Sequence, residues 1–235
     1  MALALALAVL AWPASAQSVP IDIAGDASLA TRAVQLVLLV TVLGLVPGLA
    51  VTVTCFPFIV TVLSILRQAI GLQQSPPNML IVSLALFLTW FVMDPVLTEA
   101  WVNGIQPMSA GTLPPDQAIP LIVAPFRQFM AARMDAETFA ALQALRPGAA
   151  VAGDQAPLSL LVPSFILSEI QRAFEIGFLI YLPFLIIDLV TSAVLMSMGM
   201  MMVSPAVVSL PFKLAFFAVA DGWTLVSGAL VRGYM

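Results

Sequence analysis

The chain has 235 residues, of which 62% are apolar and 9% charged, with a formal net charge of −4, one cysteine and no histidine. Soluble domains carry charges on roughly a quarter of their residues, so this composition indicates a membrane-associated protein. The sparse, acidic charge offers no basic patch for nucleic acid. Without histidine, imidazole catalysis and histidine metal sites are excluded, and we expect no metal and no cofactor.

The first 16 residues are typical of a secretory signal peptide. Residues 2–12 form an apolar stretch, and Ala14-Ser15-Ala16 is a small-residue cleavage pattern. No lysine or arginine precedes the apolar stretch, so an uncleaved membrane anchor is the alternative. We expect cleavage before Gln17, which places the mature N-terminus outside the cytoplasm.

Residues 17–96 are predicted to form an N-terminal segment followed by a first helical hairpin. Residues 33–66 carry no charge, and this stretch exceeds the ~20 residues that one straight crossing requires. Pro47 and Pro57 interrupt it. We therefore expect a bent or broken helix.

The turn of this hairpin is predicted at residues 71–78, which contain two prolines. Gly71 is typical of a helix C-cap, and Asn78 is a candidate N-cap. The second helix, over residues 79–93, should end near Pro95, because proline disfavours a helix interior.

Residues 97–159 collect charges and prolines, which indicates a small extramembrane helical domain. Amphipathic helical spacing is present over residues 119–132 and 136–145, and residues 146–156 are predicted to be a loop. The apolar face of these two helices consists of Phe126, Phe129, Met130, Phe139, Leu142 and Leu145. The signal peptide would place this domain in the periplasm, because the arginines do not decide the orientation.

Residues 160–235 are predicted to form a second hairpin, with bending at Pro183 and a last helix over residues 212–231. A methionine cluster interrupts the hairpin: Met196, Met198, Met200, Met201 and Met202 precede Ser204 and Pro205. Ordinary apolar packing is one interpretation of this cluster. Because methionine side chains are flexible, a loop of them could instead close a pore to water and yield to a passing chain.

Lys213 is the single lysine of the chain and lies between apolar residues. An ammonium in such a setting needs a partner. Glu169 and Glu175 lie six residues apart on one helix with Arg172 between them. Either carboxylate could reach Lys213, or all three charges could simply be solvated, and the spacing leaves this choice open.

Asp188 and Asp221 are isolated acids in apolar segments, where a functional role and a hydrogen bond between helices are both reasonable interpretations. An intramembrane aspartyl protease would use two such carboxylates sharing one proton. The contexts Ile187-Asp188 and Ala220-Asp221 lack the usual Tyr-Asp and Gly-x-Gly-Asp settings, so this is a minor alternative.

Five stretches carry a family resemblance: SPPNMLIVSLALFLTWFVMDPV (75–96), SEIQRAFEIGF (168–178), PFLIIDLV (183–190), MGMMMVSP (198–205) and LPFKL (210–214). In this order they resemble the FliP/SctR family of type III secretion export-gate proteins, and its flagellar members in particular. The resemblance extends over roughly residues 34–233. An injectisome export-gate subunit is the alternative within the same family.

The resemblance implies an all-α protein of membrane-associated hairpins and bent helices that assembles into a ring-shaped pore complex. The implied complex is a pentameric ring with FliQ-like and FliR-like subunits and with FlhB-like and FlhA-like components. It would sit in the flagellar basal body and conduct unfolded proteins across the bacterial inner membrane. Family members are not enzymes.

Two sets of site residues follow from the resemblance. The pore gasket of the family corresponds to Met200, Met201 and Met202, with Met198 beside them. A buried charge pair at a subunit contact corresponds to Glu169 and Lys213.

Overall fold

The computed structural model describes residues 29–71, 76–145, 155–200 and 202–234, and every regular element in these ranges is helical. The α-helices are α1 (Leu29–Thr52), α2 (Phe56–Ile70), α3 (Asn78–Ala100), α4 (Gln106–Ser109), α5 (Pro115–Arg133), α6 (Ala136–Ala144), α7 (Leu158–Ser197), α8 (Pro205–Val219) and α9 (Gly222–Arg232). A π-helical turn, Trp101–Ile105, joins α3 to α4. The expected all-α fold is confirmed. The predicted signal peptide and most of the predicted 146–156 loop lie outside the described residues.

The chain divides into two compact units, residues 1–45 and residues 46–235. In the first unit, α1 exposes every described side chain from Ala33 to Thr41, although most of them are apolar. The second unit contains all the other described elements and both clusters of buried apolar side chains.

The expected helix break before Pro57 is confirmed. Helix α1 ends at Thr52, and α2 begins at Phe56 with proline in its first turn. Proline is tolerated there because the N–H that it lacks would have no partner within the helix. The expected interruption at Pro47 is wrong, because α1 continues through this position. In an apolar setting, losing one backbone hydrogen bond costs less than ending the helix and leaving several groups unpaired.

Helix α2 is the centre of the second unit. Its buried side chains are Phe58, Ile59, Val62, Leu63, Leu66, Ala69 and Ile70, and the helix packs against α3 and α7. Contact with α7 is close at Gly177, where a Cβ atom would stand 2.4 Å from Ile65 Cδ1. An apolar segment that hydropathy assigns to lipid is therefore covered mainly by protein.

The predicted turn at residues 71–78 is described only at Gly71 and at residues 76–78, and its other residues lie outside the described ranges. Gly71 has φ +87° and caps the C-terminus of α2, as predicted. Asn78 is not an N-cap: it is the first residue of α3, and its side-chain oxygen accepts a hydrogen bond from Arg67. The predicted end near Pro95 is also wrong, because helical structure continues to Ser109.

Helices α5 and α6 cover the predicted middle segments and pack against α7. Met130, Phe139 and Phe165 are buried together there, whereas Leu145, which we expected on the same apolar face, is 77% exposed. Asp135 caps α6 by accepting the Thr138 N–H at 2.7 Å. This hydrogen bond holds the pKa of the Asp135 carboxyl below its ordinary value.

In the described part of the chain, two helical stretches are long and apolar enough to cross a membrane: Asn78–Ser109 and Leu158–Ser197. A third crossing is present if α8 and α9 count as one span, bent by 62°. The predicted continuous helix over residues 212–231 is therefore wrong. The chain turns at Asp221, whose φ of +48° ends the regular α8 path.

Candidate functional site

Met198, Met200 and Met202 lie in a loop between α7 and α8, as predicted, whereas Met196 belongs to the last turn of α7. The Met198 N–H still bonds to the Val194 carbonyl, and Gly199 then adopts φ +73° and turns the chain. Such a φ is strained for residues with a Cβ atom, so glycine suits this turn. Beyond it, Met202 is fully exposed. Met201 lies outside the described residues.

An apolar groove of about 570 Å³ lies beside this loop, between α7 and α8. It is lined by Ile186, Ile187, Val190, Thr191, Val194, Leu195, Met198, Met200, Val208 and Phe212. The loop and the groove together form an apolar surface at the end of the hairpin. Packing among the residues that the structure describes leaves this surface open.

Lys213, on α8, is buried and bonds to two other helices. Its ammonium contacts Asp188 Oδ2 on α7 at 2.6 Å, and it donates to the Ala69 carbonyl near the end of α2 at 3.0 Å. Terminal carbonyls of a helix lack intrahelical partners and favour a cation. Ser209, one turn before Lys213, donates to the second Asp188 oxygen at 2.6 Å.

Within one copy of the chain Glu169 and Lys213 do not meet, because the Lys213 ammonium bonds to Asp188. The predicted Glu169–Lys213 pair at a contact between subunits stays a prediction. Glu169 lies roughly 28 Å before Asp188 along α7 at ~1.5 Å per residue, too far for a lysine held at the Asp188 level. Glu175, the other candidate, is exposed and accepts a hydrogen bond from Gln171.

Glu169 instead forms a second buried charge site at the level of the middle helices. Its carboxylate has no exposed surface, and one oxygen lies 3.3 Å from Arg133 Nε and 3.3 Å from Arg172 Nη1. The other oxygen accepts a hydrogen bond from the Tyr234 hydroxyl. Sequence spacing found Arg172 but missed Arg133 and Tyr234.

Tyr234 anchors the end of the chain to this site. Its ring packs edge-on against Phe58 and stacks on Phe129, and Arg133 Cζ lies 4.1 Å from the ring centroid. Burial, followed by the Glu169 carboxylate, raises the pKa of the Tyr234 phenol above its ordinary value. A single tyrosine after an apolar helix gives no sequence signal of this role.

The lone cysteine is part of the core. Cys55, in the segment that joins α1 to α2, is completely buried, and burial raises the pKa of its thiol to about 12. Because the thiolate is the reactive form, this thiol is inert in the folded chain.

Asp188 and Asp221 occupy different settings. Asp188 is neutralised by Lys213 and accepts a hydrogen bond from Ser209, whereas Asp221 is exposed at the turn before α9. A protease dyad needs two adjacent carboxylates sharing a proton. The contacts of Asp188 do not favour this alternative.

These features define an integral membrane helical protein with buried charge pairs and an open apolar loop. The model of the FliP family matches residues 39–230, and the chain belongs to the FliP family. It is 47% identical to the flagellar biosynthetic protein FliP of Caulobacter vibrioides, over 98% of this chain and 88% of that protein. Identity to the FliP proteins of Agrobacterium fabrum and Rhizobium meliloti is 43% and 42%, over 96% and 98% of this chain and 96% and 97% of theirs.

Proposed function

We propose that this chain, a flagellar export-gate subunit, forms with copies of itself the pore that conducts unfolded flagellar proteins across the bacterial inner membrane. The observation that carries the proposal is the methionine loop. Met202 is fully exposed, and Met198 and Met200 are exposed beside it. A loop that only connected two helices would not need a surface of this kind.

Deformable apolar side chains suit a gasket. Around a narrow opening they exclude water and ions by dewetting, and their unbranched chains can move aside for a polypeptide. One copy of the chain contributes one loop, so closing a pore requires several copies. We propose a pentameric ring in which Met200, Met201 and Met202 line the constriction, with Met198 supporting them.

Exposed apolar surface supports assembly with further subunits. Along α7, Phe174, Phe178, Leu185, Leu189 and Val190 are exposed, and Phe212 and Phe216 are exposed on α8. Lipid or protein must cover such surfaces. We propose that neighbouring copies and FliQ-like and FliR-like subunits cover most of them, with FlhB-like and FlhA-like components joining the same apparatus.

The protein would be a multi-pass inner-membrane component of the flagellar basal body. Residues 97–159, which contain α5 and α6, would face the periplasm, and residues 1–16 would act as the signal peptide. We propose a non-enzymatic role in which the energy for export comes from other components of the apparatus.

The test is ion leakage through assembled gates. Replacing Met200, Met201 and Met202 with alanine should raise membrane conductance in cells that express the complete export apparatus. The matched control is Met79→Ala, because Met79 is an exposed methionine that belongs to α3 and not to the loop. Conductance that stays unchanged in the triple variant, with normal assembly, would contradict the gasket.

A further inference from the structure

The Asp188–Lys213 ion pair links α7 and α8 across the methionine loop. Asp188 lies roughly 13 Å before the end of α7, and Lys213 roughly 12 Å after the start of α8, at ~1.5 Å per residue. The two charges therefore come level when one helix folds back along the other. Their side chains meet at 2.6 Å.

We propose that this pair allows α7 and α8 to enter the membrane together as one hairpin, with each charge neutralising the other. The inference concerns membrane insertion. It holds whether or not the assembled protein conducts substrates, so a failure of the export proposal leaves it intact.

A lone charge opposes insertion of an apolar helix. Asp188 interrupts the apolar span Leu158–Ser197, and Lys213 interrupts α8, so each helix alone would bring an unpaired charge into the bilayer. Insertion scales penalise both residue types near the helix centre. Pairing removes the net charge, and the Ser209 hydroxyl bonds to the remaining carboxylate oxygen at 2.6 Å.

The contacts of the pair are mostly local. Asp188 finds Ser209 and Lys213 within 21 and 25 residues of chain, so the hairpin can satisfy these groups by itself. The third contact, to Ala69, spans 144 residues and requires α2 to dock. Neutralisation can therefore precede the packing of the hairpin onto the rest of the second unit.

Insertion can be followed in the full-length chain with two reporter cysteines in a Cys55→Ala background. One reporter is Ser204→Cys in the exposed loop, and the other is a cysteine appended after Met235. A membrane-impermeant maleimide applied to pulse-labelled chains, from each side of the membrane, gives the sidedness of both reporters. The measured quantity is the fraction of chains with the sidedness of the parent.

Asp188→Ala and Lys213→Ala should each lower this fraction by roughly tenfold, since each leaves one unpaired charge. The double variant Asp188→Ala/Lys213→Ala and the exchange Asp188→Lys/Lys213→Asp should both return it to near the parent value. Glu175→Ala is the matched control, because it removes an exposed acid of α7 that lies outside the pair. This control should insert like the parent.

Two results would overturn the proposal. One is a double variant that inserts no better than the single variants, because the defect would then not arise from an unpaired charge. The other is a normal insertion fraction for both single variants during the pulse, followed by a lower amount of protein at later times. The pair would then stabilise the finished protein without assisting its insertion.

Discussion

Helix α7 carries two carboxylates that the structure treats in opposite ways. Glu169 has no exposed surface and is enclosed by two arginines and a phenol, whereas Asp188 is 29% exposed and bonds to Lys213 and Ser209 of the next helix. Both are acids in an apolar helix, yet only Glu169 depends on distant parts of the chain. Position along α7 decides which partners each one finds.

This difference separates two kinds of stabilisation. The Glu169 site joins α7 to the end of α5 and to the C-terminal residues, with partners 36 and 65 residues away. It forms when the middle helices and the chain end are in place. The Asp188 site belongs to the hairpin of α7 and α8, which also carries the methionine loop.

The largest expected effect is at Glu169. Glu169→Gln removes the buried carboxylate that the partly exposed Arg133 and Arg172 side chains both contact, so we expect the free energy of unfolding to fall by about 3 kcal/mol. Denaturant unfolding in detergent micelles measures this loss. Glu175→Gln is the control: it changes an exposed carboxylate of the same helix and should alter stability by less than about 0.5 kcal/mol.

Equal stability of the two glutamine variants would contradict the claim that the Glu169 site holds distant parts of the chain together. A destabilised Glu169→Gln protein should also lose protection of its C-terminal residues from carboxypeptidase, because glutamine offers one acceptor oxygen where the carboxylate offers one to the arginines and one to Tyr234. If the chain end stays protected, Tyr234 is held by its ring contacts alone.

A smaller effect is expected at Gly177, which lies between the two carboxylates where α2 crosses α7. In Gly177→Ala the new Cβ atom would stand 2.4 Å from Ile65 Cδ1, so overpacking should destabilise the chain by about 1 to 3 kcal/mol. Combining it with Ile65→Val, which removes that methyl group, should recover part of the loss.

Gly44→Ala is the control for this prediction, since nothing lies within 4 Å of a Cβ atom at that helical position. Alanine there should be neutral or slightly stabilising. Unfolding of both variants in micelles under the same conditions checks the comparison. If Gly177→Ala behaves like Gly44→Ala, α2 and α7 are not in close contact.

The smallest effect on stability at neutral pH is expected from ionisation of the Tyr234 phenol, which should change the free energy of unfolding only at alkaline pH. Its folded pKa lies above its ordinary value of 10.0, so its contribution is complete below that pH and is lost as the pH rises further. The Cys55 thiol, raised from 9.0 to about 12, acts in the same direction. Stability should therefore be level near pH 8 and fall above pH 9.0 to 10.0.

Tyr234→Phe should reduce this alkaline slope, since it removes one of the two groups that resist ionisation. Measuring the free energy of unfolding against pH for both proteins tests the assignment. An alkaline slope that is identical in the variant would mean that Tyr234 does not titrate with folding.

Local signals in the sequence were reliable where local chemistry decides the structure. Gly71 ends α2 because glycine accepts a positive φ, and the break before Phe56 follows from Pro57. Proline was misleading at Pro47 and Pro95, because helices in apolar surroundings continue through it. At Asp221, the Asp-Gly dipeptide is a turn signal, and the chain turns there although the apolar pattern predicted a continuous helix.

The charge pairs could be predicted only in part. The sequence indicated that Lys213 needs a carboxylate, but the choice among Glu169, Glu175 and Asp188 depends on how α8 folds back along α7. Asp188 is selected because it lies about as far from the loop as Lys213 does. This comparison depends on where α7 ends and α8 begins, and the sequence pattern does not define those two positions. Arg133 and Tyr234 reach Glu169 only through tertiary packing.

The proposal that the methionine loop lines the conducting pore is tested most directly by cross-linking. A photoreactive amino acid at position 202 should cross-link to a flagellar substrate stalled during export, whereas the same residue at position 79, also an exposed methionine, should not. The predicted result is that residue 202 cross-links to the substrate only when a substrate is stalled during export. Absence of cross-links at 202 in assembled, export-competent complexes would contradict it.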